Sequence, residues 1–207
     1  MYKQISPNML KTFESFPRKF ELKYIKGITM PVNDEIYEFG KNIHALASYF
    51  LRKENIDKME KSLTVKELDV WNYLKSSKYF TYEVINTEYN LSVKLGDFIF
   101  GGRIDALVKL NETFYILDYK TGTIPKNPKY DYQTIIYTMA VKAFYKTEDV
   151  HFIYLDLKNK KDIEIEYTKQ EDNECKEKLI STAKKIYSLE HTAKKNKCSC
   201  EYSIICY

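Results

Sequence analysis

The chain has no apolar run near the roughly 20 residues that a membrane-spanning helix requires, so a transmembrane helix is not expected. Its opening residues, Met1-Tyr2-Lys3-Gln4-Ile5-Ser6, lack the basic-then-apolar pattern of a secretory signal, and a cytoplasmic location is the default expectation. No internal repeat and no low-complexity linker divides the sequence. Neither sign of charge dominates: 33 basic and 29 acidic residues leave a net charge of +4, too small an excess to identify a nucleic-acid partner by itself. Cysteine is scarce and oddly placed. Of Cys175, Cys198, Cys200 and Cys206, three fall in the last ten residues. In a cytoplasmic protein these thiols are expected to be reduced or to bind metal.

What is present is a globular composition, 44% hydrophobic and 30% charged, in 207 residues. That is enough for one sizeable core, and a single domain over 1–207 is expected. Its parts would be a helical portion at 1–80, a sheet with a helix at 81–170, and a C-terminal helix with the cysteine tail at 171–207. Ser6-Pro7 has the form of an N-cap followed by a first helical residue, and Pro17 opens a second helix. Ile36, Phe39, Ile43, Leu46, Ala47 and Phe50 recur at helical spacing within 34–53. Thr64-Val65-Lys66-Glu67 fits a capping box that opens a helix to about Ser76. From Tyr82 to Tyr119 the chain turns rich in Val, Ile, Tyr, Phe and Thr, with breaks at Gly96-Asp97 and Asn111-Glu112, which predicts a three-stranded antiparallel meander. Helical spacing returns at 130–145, with Ile136, Tyr137, Ala140 and Phe144 on one face. Val150–Leu157 and Ile163–Tyr167 have strand character, and a charged helix follows over about 171–190. This order predicts an α/β or α+β sandwich around one mixed sheet.

The segment from Gly101 to Gly122 reads GGRIDALVKLNETFYILDYKTG. A two-residue turn at Asn111-Glu112 places Asp105 directly opposite Asp118 on one side of the hairpin, with Cβ atoms about 4.5–5.5 Å apart. Two carboxylates so placed repel unless a proton or cation lies between them. A divalent ion such as Mg2+ meets that need. Lys120 follows Asp118 by two residues and points to the same face, where an ammonium can orient a water for phosphodiester hydrolysis. The register predicts Ile104, Ala106 and Val108 on one face with Leu117 and Tyr115, and Leu107 and Ile116 on the other beside the carboxylates. The bland alternative is that Asp105 and Asp118 are ordinary strand residues paired with Lys or Arg.

These residues resemble the core motif of RecB-type nuclease domains in the PD-(D/E)xK superfamily. Three further segments match that group in order: Ile5-Ser6-Pro7 with Phe16-Pro17-Arg18-Lys19-Phe20, then Phe39-Gly40-x-x-x-His44, then Tyr132-Gln133-x-x-x-Tyr137. The resemblance implies a restriction-endonuclease-like core, a mixed sheet flanked by helices, with an N-terminal helical elaboration. It implies Asp105, Asp118 and the backbone carbonyl of Tyr119 as metal ligands and Lys120 as the catalytic lysine. His44 would be an additional ligand, which suits Mn2+ as well as Mg2+; a hydrogen-bonded core histidine is the alternative. Glu88 matches an acidic residue that many members place near the metals, or else is a solvated strand glutamate. Gln133 and Tyr137, one turn apart, would contact substrate or the catalytic lysine, although Tyr137 also suits core packing. Arg18 and Lys19, with Lys23, would contact phosphates or form a solvated basic face.

Some relatives, including the CRISPR adaptation exonucleases and AddB-like proteins, join their ends through a four-cysteine iron–sulfur cluster. Cys198, Cys200 and Cys206 are the candidate ligands here, for an iron–sulfur cluster or for zinc. Phe16 stands where the fourth cysteine is expected, so Cys175 or His191 would have to substitute. The alternative is a vestigial site with free thiols, Phe16 providing apolar packing instead.

The function so implied is a metal-dependent DNA nuclease, an exonuclease on single strands or ends, in repair, recombination or CRISPR-type processing. A helicase or recombination partner, or a homo-oligomer, would accompany any processive role. A catalytically silent DNA-binding or assembly module on the same fold is the alternative, and its signature would be loss of a catalytic residue. A metal-sensing or structural protein organised by the cysteine tail leaves the ordered motifs unexplained.

Overall fold

The structure, a computed structural model, describes residues 4–31, 34–188 and 200–205. Five strands form one mixed sheet in the order β1 (Glu83–Leu95), β2 (Phe98–Leu110), β3 (Thr113–Lys120), β4 (Val150–Asp156) and β5 (Lys161–Ile165). The first three are the antiparallel meander read from the sequence. β4 lies parallel to β3, a geometry that needs a crossover. Helix α6 (Tyr132–Tyr145) provides it, and β5 returns antiparallel. The tight turns fall where the chain takes positive φ, at Gly96 (59°) and Asn111 (54°).

Helices cover both faces of the sheet. On one side α1 (Pro7–Ser15), α6 and α7 (Lys169–Tyr187) bury a cluster around Leu10, Phe100, Ile116, Ile136, Phe152 and Leu179. On the other, α3 (Asp34–Leu51) and α5 (Val65–Lys75) bury Ile43, Leu46, Trp71, Leu74, Leu117 and Ile153. This is the expected sandwich.

Local chemistry starts the helices where the sequence indicated. The Ser6 hydroxyl accepts from Met9 N and Pro7 stands at the first position. Complete capping boxes open α5, at Thr64 and Glu67, and α7, at Thr168 and Glu171. Two pieces differ from expectation. A short helix α4 (Asp57–Ser62) precedes α5, too short to show periodicity. The helix α2 (Pro17–Phe20) widens into a π-turn at Glu21–Ile25. Phe144, expected on the buried face of α6, is 59% exposed, and the next residue, Tyr145, packs against the apolar cluster in its place.

β2 and β3 part company before their ends. Their ladder runs from Leu110↔Thr113 to Ala106↔Leu117, the register expected of a two-residue turn, and stops there. Part of the edge of β2 left open beyond it is taken by the N-terminal segment: Ile5 bridges Phe100, with Ile5 N donating to Ile99 O and Gly101 N to Ile5 O. Residues 102–105 of β2 therefore border a fork in the sheet.

Candidate active site

The fork coincides with a break in strand alternation. Thr87 pairs with Ala106 and Tyr89 with Ile104, so Glu88 and Asp105 stand across from each other. Glu88 has φ of 49°, a left-handed conformation inside a strand. On one side of this pair Thr87 and Ala106 face α3, where the Thr87 and Ser48 hydroxyls bond at 2.9 Å. On the other side Tyr89 and Ile104 face α6. Ile104 thus joins the cluster of Leu107 and Ile116, not that of Ala106 and Val108 as strict alternation predicted. A left-handed residue in a strand reverses which face the next side chains take. Both carboxylates arrive at the seam between the two faces.

Asp105 holds the fork together. Its Oδ2 accepts the Tyr119 N–H at 2.8 Å, and its Oδ1 lies 3.2 Å from His44 Nδ1. His44 Nε2 donates to the Tyr119 carbonyl at 2.9 Å. Both ring nitrogens thus face acceptors, which favours the doubly protonated ring. Burial opposes that charge, but the hydrogen bond to Asp105 and the charges of Asp105 and Asp118 outweigh it, and the His44 pKa lies above its ordinary value. Helix α3, which delivers His44, passes close to the end of β3 at Gly40, where a Cβ would sit 3.1 Å from the Thr121 hydroxyl. His44, Glu88 and Asp105 offer ligand atoms within 4.8 Å of one another.

Asp118 is only 3% exposed. Burial, then the charge of Asp105, raises its pKa to about 6, against the opposing charges of Lys120 and His44. Lys120 Nζ is 2.9 Å from Asp118 Oδ2 and donates to Gln133 Oε1 at 3.1 Å, while Gln133 Nε2 donates to Asp118 Oδ1. The three side chains form a closed ring of contacts. Gln133 is placed by its own helix start, where the N-cap Asp131 accepts its N–H at 2.9 Å. One turn along α6, the Tyr137 hydroxyl is hydrogen-bonded to the backbone of Arg103 and packs directly over Gly102.

A cleft of about 570 Å³ opens beside His44 and Glu88, lined also by Gly40, Lys41, Arg52, Arg103 and Thr121; Asp105, Asp118 and Lys120 lie behind its lining rather than in it. Sequence reasoning missed Arg103 and Gly102, although both lie in the GGRID stretch that leads into Asp105. Arg18 and Lys19 are placed elsewhere: Arg18 pairs with Glu21 at 2.5 Å and Lys19 with Glu201 at 2.9 Å, and neither lines the cleft. A second group, His151 with Glu164 and Glu166, is an ion-pair cluster with both glutamates exposed.

Of the tail, Cys198, Cys206 and His191 lie outside the described residues. Cys175 is buried in the main core on α7, whereas Cys200 packs with Leu22 and Tyr202 in a separate cluster, so Cys175 does not stand in as a ligand beside it. Phe16 is 46% exposed and does not supply the expected apolar packing. Between the described parts of the two ends, Tyr202 donates to Ile28 O at 2.8 Å and Lys19 pairs with Glu201.

A family model described as the PD-(D/E)XK nuclease superfamily matches residues 59–207. The fold resembles that of a solved protein from Eubacterium rectale named as a candidate exonuclease, at a TM-score of 0.56 and 11% identity, over 90% of this chain and 80% of that one. A second solved structure, SSO0001, shares 16% identity over 79% of this chain and 84% of its own, at a TM-score of 0.38, too low a likeness to support an argument. No curated protein matches the sequence.

Proposed function

The chain belongs to the PD-(D/E)XK nuclease superfamily, and from that premise we propose that it is a metal-dependent deoxyribonuclease, acting as an exonuclease on single strands or ends. The observation that carries this is the convergence at the β2–β3 fork: His44, Glu88 and Asp105 on one side, and the Asp118–Lys120–Gln133 ring on the other. The donor set suits a divalent ion. Three side chains offer one nitrogen and carboxylate oxygens within mutual reach, and the Tyr119 carbonyl, now held by His44, is a fourth hard donor beside them. Asp118 completes the set once it loses its proton. Carboxylate, carbonyl and imidazole together admit Mg2+ and Mn2+ alike. Such an ion would polarise the scissile phosphate and lower the pKa of an attacking water.

The protein's own groups do the rest. Gln133 holds Lys120 toward Asp118, so the ammonium sits at a defined point where it can orient a water by donating to it. Asp105 fixes the Tyr119 N–H across the fork. The exonuclease reading takes its support from the name given to the Eubacterium rectale protein. The nucleic-acid reading draws on a second cleft of about 320 Å³ near the last residues of β3 and β4, lined by Lys126, Lys158 and Lys161 with Asn159 and Thr123. Exposed lysines beside a hydrolytic centre suit a polyanionic backbone.

Incubation with end-labelled single- and double-stranded DNA in Mg2+ or Mn2+ tests the proposal. Degradation is expected, lost in Asp118→Ala and in Lys120→Ala. Cleavage that persists in both variants rejects the site. DNA binding with no cleavage under either metal leaves a silent binding module instead.

A further inference from the structure

We infer that Arg103 is a phosphate clamp: a positioning residue whose guanidinium, aimed by Glu88, grips a phosphate of the nucleic-acid strand at the cleft. The inference rests on the nuclease reading and adds to it the group that holds the strand in place.

Four observations carry it. Arg103 is two residues from Asp105 on β2 and lines the same cleft as His44 and Glu88. Its backbone is fixed, because the buried Tyr137 hydroxyl bonds to it and packs over the neighbouring Gly102. Its side chain is nevertheless 65% exposed, and its Nε lies 2.9 Å from Glu88 Oε2. The two terminal amino groups carry no hydrogen bond or ion pair among the described residues.

With Nε beside Glu88, the guanidinium presents its terminal N–H groups outward as a fork. That geometry matches two non-bridging phosphate oxygens. An ion pair this exposed adds little to stability, and it stands on a backbone conformation that a glutamate seldom adopts. Strain of this kind is retained where it places a group for function. The other arginine of the cleft, Arg52, makes the same kind of Nε contact with Glu54 at 2.8 Å and lies over the Tyr49 ring at 4.8 Å, but Glu54 is not part of the metal-ligand cluster as Glu88 is. Arg103 is therefore the arginine that Glu88 sets at the metal-ligand cluster.

The test measures binding of fluorescent single-stranded oligonucleotides in EDTA, for wild type, Arg103→Ala, Arg103→Lys and Glu88→Ala. Arg103→Ala should weaken binding at least tenfold and lower the log–log salt slope by about 0.7, the effect of releasing one single-strand phosphate. Arg103→Lys should recover part of the affinity but not the bidentate grip. Glu88→Ala should also weaken binding, although it removes a negative charge near a polyanion; simple electrostatics requires the opposite sign. Calorimetric Mn2+ affinity without DNA should change less than twofold in Arg103→Ala. Oligonucleotides with a 5′-hydroxyl and with a 5′-phosphate separate the sources: weakening on both marks an internal phosphate, weakening on the phosphorylated strand alone a terminal one. Affinity within twofold of wild type on both strands, or tighter binding by Glu88→Ala, overturns the clamp. So does a parallel fall in Mn2+ affinity, since Arg103 would then only prop Glu88. A protein that binds DNA through Arg103 and cuts nothing in Mg2+ or Mn2+ sinks the nuclease reading and leaves the clamp standing.

Discussion

The hydroxyl of Tyr137 lies 2.7 Å from where a β-carbon on residue 102 would stand, and its ring carbon Cε1 lies 3.0 Å from it. Gly102 is thus the position that lets α6 close on β2 immediately beside Asp105. Tyr137 is 6% exposed. Gly102→Ala should destabilise the protein by about 1–3 kcal/mol, the usual cost of overpacking, and should depress cleavage by displacing the fork. In a Tyr137→Ala background the added methyl should cost little. Denaturant melts of the two single variants and the double variant check this; strictly additive losses would show that the two residues do not meet.

The raised pKa of Asp118 gives the site a signature in pH. Its folded pKa of about 6 lies above the ordinary carboxylate value, so the folded state without metal holds a proton that the unfolded chain releases. Asp118 therefore contributes stability at low pH that is lost as pH rises through about 6. His44, also raised, acts in the same direction from its ordinary value upward. Binding of a divalent ion reverses the sign, since it needs the ionised carboxylate. Mn2+ affinity measured calorimetrically should rise with pH through about 6, as Asp118 ionises, and go on rising until the His44 ring has also lost its proton, with release of protons throughout. Asp118→Asn should flatten that limb of the profile. An unchanged profile in this variant would place the titrating group elsewhere.

The hairpin was legible because its determinants are local. Asn111 tolerates the left-handed turn, and a two-residue loop leaves one register, which the ladder from Leu110↔Thr113 to Ala106↔Leu117 follows. Capping residues likewise announced α1 and α5. The reversal at Glu88 was not legible, since glutamate carries no preference for positive φ. Ile104 consequently faces the side opposite to the one alternation assigns it. Gln133 was recognised as a site residue, but its grip on both Lys120 and Asp118 depends on how α6 docks, which residue spacing does not encode. The lysines at 158 and 161 reach the site end of the sheet only because β4 runs parallel to β3.

Those lysines supply a prediction about salt. Lys126, Lys158 and Lys161 line one cleft and are exposed. Their joint replacement by glutamine should lower the log–log salt slope of single-strand binding by about 2, at about 0.7 for each phosphate that the lysines neutralise. Hydrolysis of a dinucleotide too short to span that cleft should be unaffected. A slope equal to wild type would show that the strand takes another path.

Glu67 ties the capping of α5 to the helix that carries His44. Its Oε2 accepts from Thr64 N and from the Thr64 hydroxyl at 2.9 and 2.7 Å, and its Oε1 accepts from Asn42 Nδ2 of α3 at 3.0 Å. Hydrogen bonds from Asn42 and Thr64 hold its carboxyl below the usual range. Thr64→Ala removes the cap alone and should cost about 1 kcal/mol. Glu67→Ala removes the cap partner and the link to α3, leaving Asn42 without its acceptor, so it should cost more, about 2–3 kcal/mol. It should also lower Mn2+ affinity, because α3 sets the distance from His44 to Asp105. Equal melting shifts with unchanged metal affinity would show that α5 does not steady the site.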